Sequence, residues 1–420
     1  MSPSARPPAD LVTLTPAQRA HFQWLEAPYL EKIVAALEAA EKGSARFVGG
    51  CVRDSLIGAA PKDFDIATTL EPGAVVAALK QAGLKAAPTG IDHGTITAIA
   101  DHHGVEVTTL RADVSTDGRR ATVAYTRDWA VDAGRRDFRL NAIYLTPDGR
   151  LYDPVGGLAD ADARRVRFIG DASARIREDY LRILRFFRFA ARFSDAFDPE
   201  GLAACAALKD GIGQLSAERV GAETTAILNL PRAGFALRAM AGSGVLDEIW
   251  PEPADLAALE RLKAAEPDAA APLALAVLYG DRAEGIDRRL RLSNAEKAIR
   301  KRAVEAHERI VADLSDHAVR KLIYGLGKDG FADALAAACA FQSIDDAARA
   351  RFLIMLDDWA APVFPYSGRH AVAAGLDPGP DISAVLQAAE AAWIEADFPP
   401  EPRAGAIFRA AIAARTGKAS

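Results

Sequence analysis

The fold turns on two neighbouring stretches, Arg46-Phe-Val-Gly-Gly-Cys-Val-Arg-Asp54 and Lys62-Asp-Phe-Asp-Ile-Ala67. Ala45–Val48 reads as a strand that runs into Gly49 and Gly50, then into a helix beginning near Cys51. Glycines let a phosphate approach the backbone, and free N–H groups at a helix start favour an anion. Arg53, one turn in, can add a bidentate phosphate contact. Taken alone, Gly49-Gly50 also reads as nothing more than a tight turn. Asp63–Ala67 reads as a second strand. Residues two apart in a strand share a face, so Asp63 and Asp65 project together while Phe64 and Ile66 point into the core. Two carboxylates about 7 Å apart at the backbone can converge on a hard divalent cation such as Mg²⁺. An Asp-x-Asp pair is common surface decoration. Placed just after Gly-Gly-x-x-Arg-Asp, it points to a site for metal and phosphate.

Working outward, Thr95–Ala100, Val105–Leu110, Ala121–Thr126 and Ala142–Leu145 also read as strands, and Ala74–Gln81 as a helix. Gly90-Ile-Asp-His-Gly looks like a turn into the Thr95 strand, and Asp101-His-His-Gly like a hairpin turn. Glu106, on the strand Val105–Leu110, is either a third carboxylate brought beside Asp63 and Asp65 or an ordinary outward-facing residue. Asp153-Pro-Val-Gly-Gly closes the β-rich part, and after Asp171 the pattern is helical almost throughout. The expected architecture is α/β plus all-α. An α/β head, a small mixed sheet with flanking helices, precedes a helical neck, body and tail. The boundaries are a flexible lead over 1–25, head 26–157, neck 158–230, body 231–330 and tail 331–420.

Two further clusters carry chemistry. In Asp132-Ala-Gly-Arg-Arg-Asp-Phe-Arg-Leu-Asn-Ala142, Arg135 and Arg136 supply charge for phosphate, and Asn141 a hydrogen-bonding group of the kind that meets ribose. Asp137 either joins them or holds an arginine in place. In Arg177-Glu-Asp-Tyr-Leu-Arg-Ile-Leu-Arg-Phe-Phe-Arg188, Glu178, Arg182 and Arg185 fall at i, i+4 and i+7 of a helix, with Asp179 on the same side. A carboxylate beside a guanidinium can read a base edge, because the acid accepts an exocyclic amino proton and the arginine donates to a ring nitrogen or carbonyl. The alternative is a helix-surface salt bridge.

Composition narrows the class. The chain has 420 residues, is 50% hydrophobic and 26% charged, and carries a formal net charge of −6, so it can bury a core and has no global basic field. From Arg164 to Arg192, however, nine arginines face three acids, either a solvated helix face or a nucleic-acid surface. The longest uncharged apolar run, Ala269–Gly280, is 12 residues, short of the roughly 20 a membrane helix needs. The first residues lack the apolar core of a signal peptide. Cys51, Cys205 and Cys339 are too scattered for a metal or disulfide motif, and an odd count fits a reducing, cytoplasmic setting.

The ordered set Gly-Gly-Cys-Val-Arg-Asp, Asp63-Phe-Asp65, Arg-Arg-Asp-Phe-Arg-Leu-Asn, Asp153-Pro-Val-Gly-Gly and Glu178-Asp-Tyr-Leu-Arg182 resembles the class II tRNA nucleotidyltransferases, the CCA-adding enzymes. It also resembles their relatives the bacterial poly(A) polymerases. The resemblance spans nearly the whole chain and departs at Arg139, where the family usually has Thr. It implies a template-independent enzyme that uses CTP and ATP to add or repair the 3′-terminal CCA of tRNA, with two Mg²⁺ ions held by Asp63 and Asp65. It assigns Gly49, Gly50, Arg53, Arg135 and Arg136 to phosphate and sugar. Asp179 and Arg182 become the base-selecting pair, beside Glu178 and Arg185. Partners would be the acceptor end and body of tRNA, with no membrane.

Within the family, Gly90-Ile-Asp-His-Gly-Thr-Ile-Thr97 looks like the CCA branch, since the poly(A) branch carries Gly-Arg-Arg-Phe-Arg there. A full-length loop from Arg111 to Asp128 favours complete CCA addition over CC-only or A-only addition. None of the seven histidines precedes an Asp, as an attached phosphohydrolase domain would require. A catalytically inactive RNA-binding protein on the same scaffold, and a nucleotidyltransferase for small acceptors, are the other readings.

Overall fold

The computed structural model describes residues 11–112, 124–283 and 285–416. The chain forms two compact units. The first comprises Met1–Ile227 with Phe235–Pro251, and the second Leu228–Gly234 with Glu252–Ser420.

The first unit is built on an eight-stranded mixed sheet. Its strands are β1 (Val12–Thr13), β2 (Ala45–Val48), β3 (Asp65–Thr68), β4 (Lys85–Gly90), β5 (Thr95–Ala100), β6 (His103–Thr109), β9 (Tyr144–Leu145) and β10 (Arg150–Tyr152). β7 (Arg111–Ala112) and β8 (Ala124–Tyr125) make a separate two-stranded ribbon. The sheet order is β1-β10-β9-β2-β3-β6-β5-β4. β3 and β6 run parallel, with Asp65 opposite Glu106, and the other neighbours are antiparallel.

Alternation assigns the two faces. Phe47, Ile66, Ile96, Ala98, Val105 and Val107 point to one face and are buried. The helices Pro28–Ala40 and Pro72–Gln81 cover that face. The first offers Leu30, Ile33, Val34 and Leu37 at helical spacing, the second Val75 and Leu79. Burying each such side chain is worth about 1.5–3 kcal/mol, so this face fixes the register. The opposite face is apolar only towards β9, where Val48, Ala67, Leu110 and Tyr144 cluster. Towards β5 it turns polar: Asp65, Glu106, Thr95, Thr97 and Thr108 lie there, and the Thr95 and Thr108 hydroxyls are 3.0 Å apart.

Several expectations are corrected. Residues 12–25 do not form a flexible lead: β1 adds to β10, and Phe22 is buried in the head core. β3 starts at Asp65, so Asp63 precedes the strand and is exposed, while Phe64 packs on Trp24 with ring centroids 4.9 Å apart. The strand expected at Ala142–Leu145 is shortened to Tyr144–Leu145 behind a 3₁₀ turn, Arg139–Asn141. The boundary placed between 330 and 331 falls within the helical stretch Asp316–Ala340, three residues after the chain kinks at Gly327. Phe331, Leu335 and Phe352 share a core with Val319 and Ile323, whereas a separate core of Leu376, Val385, Phe408 and Ile412 starts later. Nor does the boundary at 230 hold, since the chain leaves the first unit at Leu228, returns at Phe235 and leaves again at Glu252.

The closing motif of the head has a steric reason. Asp153 accepts from the N–H groups of Gly157 and Leu158, both at 2.8 Å, which caps the helix Gly157–Asp162. A Cβ on Gly157 would lie 2.2 Å from the Arg139 carbonyl oxygen, so only glycine fits there. The apolar run near 269 becomes the helix Ala271–Tyr279, buried at every position, and no described helix is long and apolar enough to cross a membrane.

Candidate functional site

The site is assembled on the polar face of the sheet from the loop after β2, the start of β3, the middle of β6, and residues 132–141. After Val48 the chain turns at Gly49, whose φ of 76° and ψ of −126° are barred to residues with a Cβ. The helix Gly50–Leu56 follows, anchored by fully buried Cys51 and Val52. A Cβ built on Gly49 would lie 3.7 Å from Oδ2 of Asp65 and 4.0 Å from Nη1 of Arg136. The glycine turn, the Asp65 carboxylate and the Arg136 guanidinium therefore border one space.

Asp65 is half-buried, and its carboxyl is pushed up, first by burial and then by the nearby negative charge of Glu106 and Asp63, with Arg136 opposing. Such a surplus of negative charge is what a divalent cation relieves. Among the described residues, no three His, Cys, Asp or Glu side chains gather closely enough to hold an ion unaided. Mg²⁺ typically takes one or two carboxylates and completes its shell with water and substrate phosphates. The donor set of Asp65 and Asp63, beside a glycine turn, fits that pattern. Cys51 lies under this turn, its thiol donating to the Val48 carbonyl and pushed up to about 12 by burial, so it is an inert packing group.

Arg53 is buried at 6% exposure. Its Nε donates to Asp54 at 2.7 Å and its Nη1 to Asn141 at 2.7 Å, and its guanidinium lies 4.3 Å from the Phe193 ring centroid. It is held as a fixed charge behind Gly50, with Asn141 as one of its clamps. Both groups expected to meet phosphate or sugar are therefore buried and bonded to each other.

Arg135 and Arg136 are organised by a residue to which sequence reading gave no role. Asp132, on the helix Trp129–Gly134, is 1% exposed. It accepts from Arg135 at 2.7 and 2.8 Å, from Arg136 at 3.2 and 3.3 Å, from the Tyr144 hydroxyl at 2.7 Å and from the Arg111 N–H at 3.0 Å. Burial alone would raise its carboxyl. The two guanidiniums and the Tyr144 hydroxyl outweigh that and hold it at about 2. The signal was present in the sequence, since Asp132 stands at i−3 and i−4 from the two arginines.

Asp137 proves to be an arginine holder. Its carboxylate accepts from Arg185 at 2.8 and 2.5 Å, from Asn141 at 3.0 Å and from the Phe138 N–H. The expected single helix through 178–185 is broken. One helix, Ala172–Glu178, ends at Asp179, and Leu181–Phe193 begins anew. Glu178 and Arg182 still meet at 2.5 Å, and Arg175 joins Glu178 at 2.9 Å. Arg182 also donates to the carbonyls of Arg175 and Arg135. Asp179 does not pair with Arg182. It takes the Leu181 N–H at 3.1 Å and Arg219 at 2.8 Å. Arg185 and Arg188 both face Glu223, the latter at 2.9 Å. Arg219 and Glu223 lie about 40 residues from their partners and left no local signal. Of the loop Arg111–Asp128, residues 113–123 lie outside the described residues.

A family described as the poly A polymerase head domain matches residues 45–167. Another, described as a probable RNA and SrmB-binding site of polymerase A, matches residues 196–256. The mouse protein named CCA tRNA nucleotidyltransferase 1, mitochondrial, is 35% identical over 377 residues, covering 87% of this chain and 86% of that protein. A CCA-adding enzyme of Levilactobacillus brevis is 32% identical over 358 residues, 81% of this chain and 87% of its own. The crystal structure of the Bacillus stearothermophilus CCA-adding enzyme in complex with CTP superposes with a TM-score of 0.72 at 25% identity, covering 93% of this chain and 99% of that one.

Proposed function

We propose that this chain, which belongs to the family of the CCA-adding tRNA nucleotidyltransferases, adds or repairs the 3′-terminal CCA of tRNA from CTP and ATP without a nucleic-acid template. The observation that carries the reading is the pairing of Asp65 with Glu106 across parallel strands on the polar face, next to Gly49 and Arg136. That arrangement puts carboxylates, a phosphate-sized turn and a fixed guanidinium around one space.

Asp63 and Asp65 would hold the Mg²⁺ ions, two in number, with Glu106 close enough to sharpen their negative field. Bound there, the ions would lower the pKa of the RNA 3′-hydroxyl and neutralise triphosphate charge. The residues of the chain do the positioning. Gly49 and Gly50 admit the phosphates to the backbone, and Arg53 supplies charge from behind. Arg135 and Arg136, locked on Asp132, address phosphate and sugar. In-line attack by the 3′-oxygen on the α-phosphorus then releases pyrophosphate.

Base selection falls to Asp179 and Arg182, with Glu178 orienting Arg182 and Asp137 orienting Arg185. The acceptor end lies along the arginine stripe of the helix Leu181–Phe193, where Arg182, Arg185, Arg188 and Arg192 recur on one side. The tRNA body falls to the second unit. Trp393 is buried at 2% with its indole N–H on the Pro399 carbonyl, so the tail contributes its surface and not this ring. The free cysteines, with Cys51 and Cys205 buried, suit a cytoplasmic setting.

The test is direct. The protein is incubated with tRNA lacking its 3′ end, Mg²⁺ and each labelled nucleoside triphosphate, and the product is sequenced. CCA is expected. Runs of A would identify a poly(A) polymerase, and no incorporation an inactive RNA-binding relative.

A further inference from the structure

Asp179 and Arg182 are held apart by different partners. Arg182 is taken by Glu178 at 2.5 Å and by the carbonyls of Arg175 and Arg135. Asp179 sits at the break between two helices, with φ of −158°. One of its oxygens accepts the Leu181 N–H at 3.1 Å, and the other accepts Nη2 of Arg219 at 2.8 Å. Arg219 comes from the start of the helix Ala217–Leu228, 40 residues along the chain. Without that contact the Asp179 side chain would be fixed only by the local turn. It could then swing onto Arg182, the nearby cation, and close the gap between acceptor and donor.

We propose that Arg219 is a specificity-determining positioning residue, holding the Asp179 carboxylate so that its remaining lone pairs face an exocyclic amino group. The proposal rests on the reading of Asp179 as a base-selecting acid. Cytosine and adenine present an amino donor where uracil and guanine present a carbonyl. An ionised carboxylate only accepts, so a fixed one rewards the first pair of bases and repels the second. A carboxylate free to rotate turns away from a carbonyl at little cost, and discrimination is lost. Both partners of the contact are partly exposed, at 47% and 33% of the side chain. An ion pair so placed adds little to stability. Its removal should therefore leave the fold in place and act on selection.

The test uses Arg219→Ala and Arg219→Lys in the full chain, with single-nucleotide incorporation measured for CTP, UTP, ATP and GTP on the same tRNA. In Arg219→Ala the ratio of kcat/KM for CTP over UTP should fall roughly tenfold, a part of what a full bidentate pair supplies. Arg219→Lys, which keeps a donor, should hold the ratio within about threefold of the parent. The KM for tRNA should not move. Asp179→Ala separates the two layers. If it leaves selection intact, the underlying reading of Asp179 falls. If it relaxes selection while Arg219→Ala does not, only the role of Arg219 falls. The double variant should be no less selective than Asp179→Ala alone, because Arg219 acts through Asp179; a further loss overturns the proposal. Equal slowing of all four nucleotides also overturns it. Should Arg219→Ala lower the melting temperature by more than a few degrees, Arg219→Gln carries the same measurement.

Discussion

Replacing Asp132 by Asn should weaken the head and the grip on nucleotides together. The substitution keeps the shape and removes the charge. In the parent, one buried carboxylate collects two guanidiniums, the Tyr144 hydroxyl and the Arg111 N–H. Its carboxyl sits at about 2, against an ordinary 3.8. At about 1.4 kcal/mol per unit, the carboxylate form gains about 2–3 kcal/mol from the fold. A folded value below the unfolded one means that this contribution is present above about pH 4 and is lost as the pH falls towards 2. For a unit of this size, the loss should lower the melting temperature of one transition by roughly 4–8 °C at pH 7. The gap between parent and variant should narrow below pH 4. Arg135 and Arg136 lose their common anchor, so KM for CTP and ATP should rise together. Selection against UTP should stay unchanged, because these arginines serve phosphate and sugar. The measurements are differential scanning calorimetry at several pH values and steady-state kinetics with each nucleotide. A variant that melts with the parent at pH 7, or that loses selection while keeping KM, would refute the role given to Asp132.

Asp63→Ala and Asp65→Ala should each abolish incorporation of CTP and ATP alike, with circular dichroism unchanged; near-parental activity in either variant at ordinary Mg²⁺ would undo the metal assignment. Because burial and two neighbouring carboxyls push Asp65 up, the acid limb of kcat/KM should lie above the ordinary carboxylate range. It should move to lower pH as Mg²⁺ is raised, since cation and proton compete for the same oxygens; a limb indifferent to Mg²⁺ would exclude Asp65 as its origin. Removing residues from Pro362 onward should raise KM for tRNA while sparing a minihelix that carries only the acceptor end, and tRNA binding should weaken steeply with salt. Equal damage to both substrates would make the tail a structural element.

Much of the head was legible because its signals are local. Ala45–Val48 and Thr95–Ala100 match their predicted limits, each being an apolar alternation bounded by a turn. β4 carries no such signal, because Lys85-Ala-Ala-Pro-Thr-Gly90 is a half-exposed edge strand with no alternation, set in place by pairing with β5. β1 and β10, short strands on the other side of the sheet, likewise exist through pairing. The helix expected through 178–185 fails for a related reason. No Gly or Pro marks a break at Asp179, although Asp is a weak helix former whose carboxylate favours capping the N–H groups that follow it. Two contacts stand against continuation: one Asp179 oxygen takes the Leu181 N–H, and the other takes one N–H of Arg219.

The candidate site divides along the same line. Where a charge and its partner sit within one helical turn, as Asp132 does with Arg135 and Arg136, the spacing carried the information. The step missing from the sequence reading was to treat the acid as the organiser of the arginines. Where the partners lie tens of residues apart, as in Arg185 with Asp137 or Asp179 with Arg219, the pairing is set by the tertiary fold and has no sequence period. The phosphate and metal roles proposed for Gly49, Asp63, Asp65 and Arg136 rest on short motifs for this reason. Base selection needs two side chains held at a fixed angle to each other. The motif Glu178-Asp-Tyr-Leu-Arg182 names the two side chains proposed for that task and supplies the Glu178 partner of Arg182, but the Arg219 partner of Asp179 comes from 40 residues away.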